Sequence, residues 1–344
     1  MIAALAGPRG AVAADGVFCL ADEWRCAVKQ KWTYEKIDLL LVAPRTQNNG
    51  SLRQSLNDLD FREIRTGFDF NDILNALQTR VPDLLITDSQ LPGGDVCGLI
   101  RDIRAHKVGT NPFMAIIVTT WKPSVELVHE VVDSGADDLI VQPTSRGQLG
   151  SRIEALTFNR KPFVVTANYI GPDRRKHPRP DKQQVPLLEV PNTLKAKANG
   201  DVDVVSLQQS IDAAIASVNR DKQHRNAAHA EYLVKHILPA YNEGRIDAQL
   251  DGYLRELLVT GEDVARRLIG TRFGHVGKLC QALVAVTRRL AQAGASPSEK
   301  DLRLLPELAR SIRVAFAGTE RTAEMAQEIS DAITETPKRA ASAR

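Results

Sequence analysis

Asp88 ends the apolar run "PDLLITD" (82–88) and is followed at once by "SQLPGGD". A carboxylate at the tip of a buried strand can act as a nucleophile toward a phosphoryl group and form an aspartyl phosphate. That chemistry needs Mg²⁺ held by neighbouring carboxylates, a hydroxyl donor and a lysine. Two later apolar runs also end in polar residues: one ends in Thr119 and Thr120, and the other is followed by Gln142 and Pro143.

Five short apolar runs alternate with amphipathic segments between residues 37 and 157. The runs cover 37–43, 60–66, 82–88, 113–120 and 137–143. All but the more polar second run are nearly continuous Leu, Ile and Val, which is typical of strands that helices cover on both faces. Gly135 is expected to end one of the helices between them. The pattern predicts a doubly wound, five-stranded parallel α/β sheet, with the second strand nearer an edge and chemistry at the carboxyl ends of the strands.

The rest of the chain is predicted to be a linker and a second domain. Residues 1–36 are interpreted as a flexible extension, 161–203 as a basic, Pro-rich linker that is partly ordered at "PFVVTANYI" (162–170), and 336–344 as a disordered tail. Between 204 and 335 apolar residues recur at three- and four-residue steps, which predicts a separate all-helical bundle. The first helix is expected near 204, with Ser206 and Gln209 as a capping box, and Pro239, Gly261 and "GASPS" (294–298) are expected breaks. The further helices are predicted at 226–238, 246–258, 262–269, 272–293 and 299–335.

Composition narrows the class of protein. Of 344 residues, 43% are apolar and 25% charged, which is ordinary for a soluble globular chain, and no apolar run is long enough for a membrane span. The four cysteines are scattered without Cys-x-x-Cys spacing, so a cytoplasmic location is expected, without a zinc site or disulfide framework. The net charge of +3 does not by itself indicate nucleic acid, which is the least supported partner.

At residues 37–160 the chain resembles the receiver domain of bacterial two-component response regulators. The resemblance is carried by "PDLLITDSQLPGGD", "IIVTT" and "GADDLIVQP", in this order and at fitting distances. It implies that Asp88 matches the phosphoacceptor and that Thr119 matches the Ser/Thr whose hydroxyl meets the phosphoryl group. It also implies that Pro143 matches the proline that follows the family's lysine, commonly in a cis bond.

The departures from the family's pattern concern the metal and the cation. The acidic pair that helps to hold Mg²⁺ in the family falls here on Ala43 and Pro44, and the family's lysine is replaced by Gln142. Neither Ala43 nor Pro44 can ligate a metal through its side chain, and an amide carries no charge. The sequence therefore predicts an atypical or pseudo-receiver with no cofactor, no dependable Mg²⁺ site and weak or absent phosphorylation at Asp88.

A basic segment, "GPDRRKHPR" (171–179), follows the receiver-like part. Arg174, Arg175 and Arg179 are candidates for anion binding, because guanidinium groups bind phosphates in a bidentate manner. The Arg-x-x-x-Arg spacing of Arg175 and Arg179 resembles the arginine motif of PilZ domains, which bind cyclic di-GMP. The rest of that family's pattern is missing, so this ligand remains an alternative.

Three functions stay open. The leading hypothesis is a non-enzymatic signalling protein whose receiver acts by protein-protein interaction, with a sensor kinase or other signalling protein as partner. The second is a phosphorylatable response regulator in a phosphorelay, with the helical domain as output. The third is a cyclic-dinucleotide-binding module at Arg175 and Arg179. A homodimer through an apolar face of the helical domain is a further expectation.

Overall fold

The computed structural model describes residues 32–45, 50–175, 186–200, 203–269 and 274–316. Most of the predicted N-terminal extension and the whole predicted C-terminal tail lie outside these ranges. The described part of the extension is packed: the ring of Tyr34 stacks on Phe61 at 4.9 Å, and Trp32 meets Phe158 edge-on at 4.7 Å. Among the described residues, no helix combines the length and apolar character that crossing a bilayer requires.

A five-stranded parallel sheet in the order β2-β1-β3-β4-β5 forms the centre of the first half, and it confirms the predicted fold class. β2 lies at an edge, as its polar sequence predicts, and β3 ends at Asp88. The strands are β1 (Asp38–Val42), β2 (Glu63–Gly67), β3 (Leu84–Asp88), β4 (Ala115–Thr120) and β5 (Asp138–Val141).

Helices cover both faces of this sheet because successive strand residues point to opposite sides. In β1, Leu39 and Leu41 belong to one core cluster, whereas Leu40 and Val42 belong to the other. Gly135 ends the fourth helix in the left-handed conformation at φ +88°, as predicted. The helices are α1 (Gly50–Asp58), α2 (Phe70–Thr79), α3 (Val96–Arg104), α4 (Val125–Ser134) and α5 (Arg146–Phe158).

The described part of the predicted linker at 161–203 is ordered beyond the stretch 162–170, where partial order is expected. A small antiparallel sheet, ordered β7-β6-β8, and a short helix follow α5. Phe163 is fully buried, and Leu194 belongs to the same core cluster as β1. Strands of two or three residues are too short to show a period in the sequence. The elements are β6 (Phe163–Val165), β7 (Ile170–Pro172), β8 (Leu187–Leu188) and α6 (Thr193–Ala198).

Four long helices follow: α7 (Val204–Asn242), α8 (Ala248–Arg267), α9 (Gly274–Ala293) and α10 (299–316). The predicted helical region is present, and the predicted break at "GASPS" (294–298) does separate α9 from α10. The predicted cap and the other two predicted breaks are wrong. Asp203 caps α7 instead of Ser206. Pro239 lies in the last turn of α7, where it is exposed and its ring adds only a local cost. Gly261 lies inside α8, where a Cβ would come within 2.8 Å of Val284 on α9. The close packing of the two helices therefore favours glycine at this position.

Candidate functional site at the carboxyl edge of the sheet

Asp88 lies at the carboxyl end of the central strand, where the sequence places it. It is 2% exposed and pairs in register with Thr119 of β4. Its Oδ1 accepts a hydrogen bond from the backbone N–H of Gln90 at 2.8 Å, and the N–H of Ser89 donates to the carbonyl of Thr119 at 2.8 Å. The carboxylate is thus held in an Asx-type turn directly after the strand.

The structure brings the two predicted phosphoryl-contacting side chains to the same edge. Thr119 is 3% exposed, and its hydroxyl donates to the carbonyl of Thr87 at 3.4 Å. Gln142 is 7% exposed, its backbone N–H donates to the carbonyl of Thr120 at 2.8 Å, and the Gln142–Pro143 peptide bond is cis. The hydroxyl therefore lies on β4 and the amide directly after β5, the two strands that follow β3 in the sheet order.

Ala43 and Pro44 are buried at the same edge, directly after β1. The N–H of Ala43 donates to the carbonyl of Gly67 at 3.2 Å, which continues the β1–β2 pairing past the strand end. Arg45 follows and stacks its guanidinium on the ring of Phe68 at 4.3 Å. Sequence reasoning missed this cation, because nothing in the order of the residues indicates its aromatic partner.

These residues do not fit the Mg²⁺ site of the receiver family. Of the family's three carboxylate positions, Asp88 alone carries a carboxylate, and a methyl group and a pyrrolidine ring occupy the other two. Mg²⁺ gives up its water reluctantly and needs well-placed oxygens. The family's cation is replaced by the uncharged amide of Gln142. The carboxyl edge keeps the geometry of a phosphoryl site without the groups that would neutralise the phosphoryl charge.

A second acidic group lies near the start of α3. Single ligand atoms of Asp95, Cys97 and Glu130 lie within 4.8 Å of one another. Burial raises the pKa of the Cys97 thiol to about 11, so the thiol remains protonated at neutral pH. A protonated thiol is a poor metal ligand.

A buried network of charged side chains lies at the opposite edge of the sheet, directly before β5. Asp137 is fully buried between Arg104, at 2.8 Å, and Arg160, at 2.9 Å, and it accepts the N–H of Ile116 at 2.9 Å. Burial alone would raise the pKa of Asp137, but the charges of Arg160 and Arg104 hold this pKa below its ordinary value. Burial lowers the pKa of Arg104 to about 10.

The "GPDRR" segment completes this network. The guanidinium of Arg174 donates to the carbonyls of Ala136 and, at 2.9 Å, Asp137. Arg175 forms an ion pair with Asp173 at 2.8 Å and is exposed. Through these two carbonyls Arg174 stabilises the fold, and its candidacy as an anion-binding residue stays a prediction. Arg179 lies outside the described residues, so the cyclic-dinucleotide alternative stays a prediction.

Substitution of the two neighbouring arginines separates these roles. We expect Arg174→Gln to lower the free energy of unfolding by about 1–3 kcal/mol, because two buried carbonyls lose a charged donor. Arg175→Gln should leave it nearly unchanged, since exposed ion pairs contribute little. Urea denaturation of both variants measures the difference. Equal losses in the two variants would contradict the assignment of Arg174 to the fold.

Comparison with known proteins places these observations in a family. The description "Response regulator receiver domain" matches residues 39–154. The phosphate regulon transcriptional regulatory protein PhoB of Rhizobium meliloti (strain 1021) is 35% identical over 106 residues, which are 29% of this chain and 46% of that protein. The transcriptional regulatory protein AfsQ1 of Streptomyces coelicolor is 31% identical over 118 residues, which are 34% of this chain and 50% of that protein.

One solved structure also matches about a third of the chain. The receiver domain of the sensor histidine kinase PA1611 from Pseudomonas aeruginosa PAO1, with a magnesium ion coordinated in its active site cleft, is 24% identical. The match covers 35% of this chain and 94% of that one, with a TM-score of 0.31. The chain spans about half the length of the two regulators it matches, and the family match ends at residue 154, before the long helices. We conclude that residues 39–154 form a response regulator receiver domain of two-component signalling.

Proposed function

We propose that this chain is an atypical response-regulator protein that signals by protein contact, with phosphorylation at Asp88 weak or absent. The observation that carries the proposal is the set of side chains around Asp88: Ala43 and Pro44 in place of two carboxylates, and Gln142 in place of a lysine. The fold needs none of the replaced charges, since all three positions are buried and the backbone N–H groups of Ala43 and Gln142 donate to the sheet. The scaffold can therefore persist while the phosphoryl chemistry weakens.

An exposed apolar surface supports a role in contact. Trp121 after β4, Val125 and Val128 on α4, and Val141 at the end of the edge strand β5 are 42%, 68%, 39% and 47% exposed. Trp121, α4 and β5 follow one another along the chain, and β5 is an edge strand of the sheet. Apolar side chains that face water together mark surfaces that bind other proteins. We assign this surface to a sensor kinase or another signalling protein.

Metal binding by the receiver part tests the proposal. Calorimetric titration of the full chain with Mg²⁺ at millimolar concentrations should give only the heat of dilution, because a single carboxylate does not hold this ion. Asp88→Asn serves as the control and should give the same trace. Saturable heat in the wild type that disappears in Asp88→Asn would contradict the proposal, because it would show a working metal site at Asp88.

A further inference from the structure

A cleft lies between the receiver domain and the long helices. Its volume is about 590 Å³, and it is bordered by the carboxyl ends of α3 and α4, by residues 167–170 and by facing parts of α7 and α8. Since α3 and α4 run antiparallel to the strands, the cleft is at the amino edge of the sheet, away from Asp88. Arg266 and Arg267 of α8 both donate to the carbonyl of Ala105, at 3.2 and 3.3 Å, and join the two sides.

Lys222 of α7 places a nearly buried ammonium group in this cleft. It is 6% exposed, and its hydrogen-bond partners among the described residues are the carbonyls of Thr166, at 2.9 Å, and Ala167. Neither partner carries a charge, and burial lowers the pKa of Lys222 to about 8. An ammonium has three donors, and two are engaged by these carbonyls. The third is available to an anion.

Two further polar atoms of the cleft lack partners within the part of the chain that the structure describes. Asn226 is 1% exposed; its Nδ2 donates to Asp263 at 3.0 Å, but its Oδ1 receives no hydrogen bond. The Nε of Arg266 is buried and has no acceptor. A buried polar group without a partner costs about 1–3 kcal/mol. The residues that line the cleft thus hold one acceptor, Oδ1 of Asn226, and two donors, Nζ of Lys222 and Nε of Arg266, whose hydrogen bonds a bound molecule would complete.

The charge of the cleft favours an anion. Among its lining residues, six Lys and Arg stand against four Asp and Glu. Asp263 is the most buried of these four carboxylates. It already forms ion pairs with Arg266, at 2.7 Å, and with Arg267, at 2.9 Å. Lys222 is therefore the cation of the cleft whose charge is least compensated.

We propose that this cleft binds a small phosphorylated metabolite that also carries hydroxyl groups, namely a sugar phosphate or a mononucleotide. Phosphate oxygens can accept from Nζ of Lys222 or Nε of Arg266, and a hydroxyl can donate to Oδ1 of Asn226. The volume lies within the range of small-molecule sites and exceeds what a phosphate ion fills. A bound ligand would hold α8 against α3 and so link the receiver domain to the helical domain.

Calorimetry on the full chain tests the proposal with ribose 5-phosphate and adenosine monophosphate as probes, beside unphosphorylated ribose and adenosine. We expect saturable binding of at least one phosphate ester and none of the unphosphorylated compounds. Tighter binding of ribose 5-phosphate indicates a sugar phosphate, and tighter binding of adenosine monophosphate indicates a mononucleotide. No binding of either ester, or equal binding of the unphosphorylated compounds, would overturn the proposal.

Three variants locate the site. Lys222→Gln should weaken binding at least tenfold, whereas Lys235→Gln, on an exposed part of the same helix, should leave it unchanged. Arg266→Lys keeps the charge but removes the Nε donor, and it should weaken binding severalfold. Circular dichroism shows whether each variant is folded, and Arg266→Lys decides the outcome if Lys222→Gln is not. Wild-type affinity in every folded variant of the cleft would place any binding elsewhere and refute the site.

Discussion

Asp137→Asn is expected to lower the free energy of unfolding by about 3–5 kcal/mol, because the substitution leaves Arg104 charged, fully buried and without its counter-ion. Such a loss is a large part of the stability of an ordinary domain. Arg160 would lose the same partner, at 2.9 Å. Urea denaturation followed by circular dichroism measures the change.

The pH dependence of stability gives this prediction a second readout. Arg160 and Arg104 hold the pKa of Asp137 below its ordinary value of 3.8. The stability contributed by the ionised carboxylate is therefore fully present above pH 3.8 and is lost as the pH falls through the lower folded-state value. Asp137→Asn should remove this acid-dependent part. Asp133→Asn, at an exposed position on α4, is the control and should behave as wild type.

The triple variant Ala43→Asp, Pro44→Asp, Gln142→Lys is expected to react with acetyl phosphate, a reaction that the proposed function makes weak or absent in the wild type. It adds two carboxylates and a cation at the carboxyl edge, where Asp88 and Thr119 already lie. Charged groups that are positioned to stabilise a transition state change the rate of its reaction by roughly a hundredfold or more. Mg²⁺ titration and labelling by acetyl phosphate should both become positive, and Asp88→Asn in the same background should abolish the labelling.

A matched variant separates charge from packing. Ala43→Asn, Pro44→Asn, Gln142→Lys has side chains of nearly the same size but no added carboxylates, so it should bind no Mg²⁺ and label as slowly as wild type. If the aspartate variant is folded and still fails to bind Mg²⁺, the explanation of the lost chemistry by these three positions is wrong.

The sheet could be predicted from the sequence because its signals are local. The apolar runs at 37–43 and 82–88 each hold one strand, and the second of them ends at Asp88 in both the prediction and the structure. Gly135 ends its helix because a left-handed residue is needed there. These features depend on neighbouring residues, which the sequence shows directly.

Other features depend on residues that are distant in the chain. Arg104 and Asp137 are separated by 33 positions, and nothing near either residue indicates the pairing. The segment at 161–200 has few apolar residues, but Phe163 and Leu194 are buried by elements elsewhere in the sequence. Pro239 and Gly261 are helix breakers by propensity, yet position and packing keep both inside helices. Tertiary contacts decided each of these cases except Pro239, where the position in the last turn of α7 did.

The reactivity of Asp88 tests the central claim most directly. The wild-type chain is incubated with acetyl phosphate and Mg²⁺, and its intact mass is measured by mass spectrometry at neutral pH beside the aspartate triple variant. A receiver that signals by contact predicts an unchanged mass for the wild type and the gain of one phosphoryl group for the triple variant. A phosphoryl group on the wild type that Asp88→Asn removes would contradict the claim.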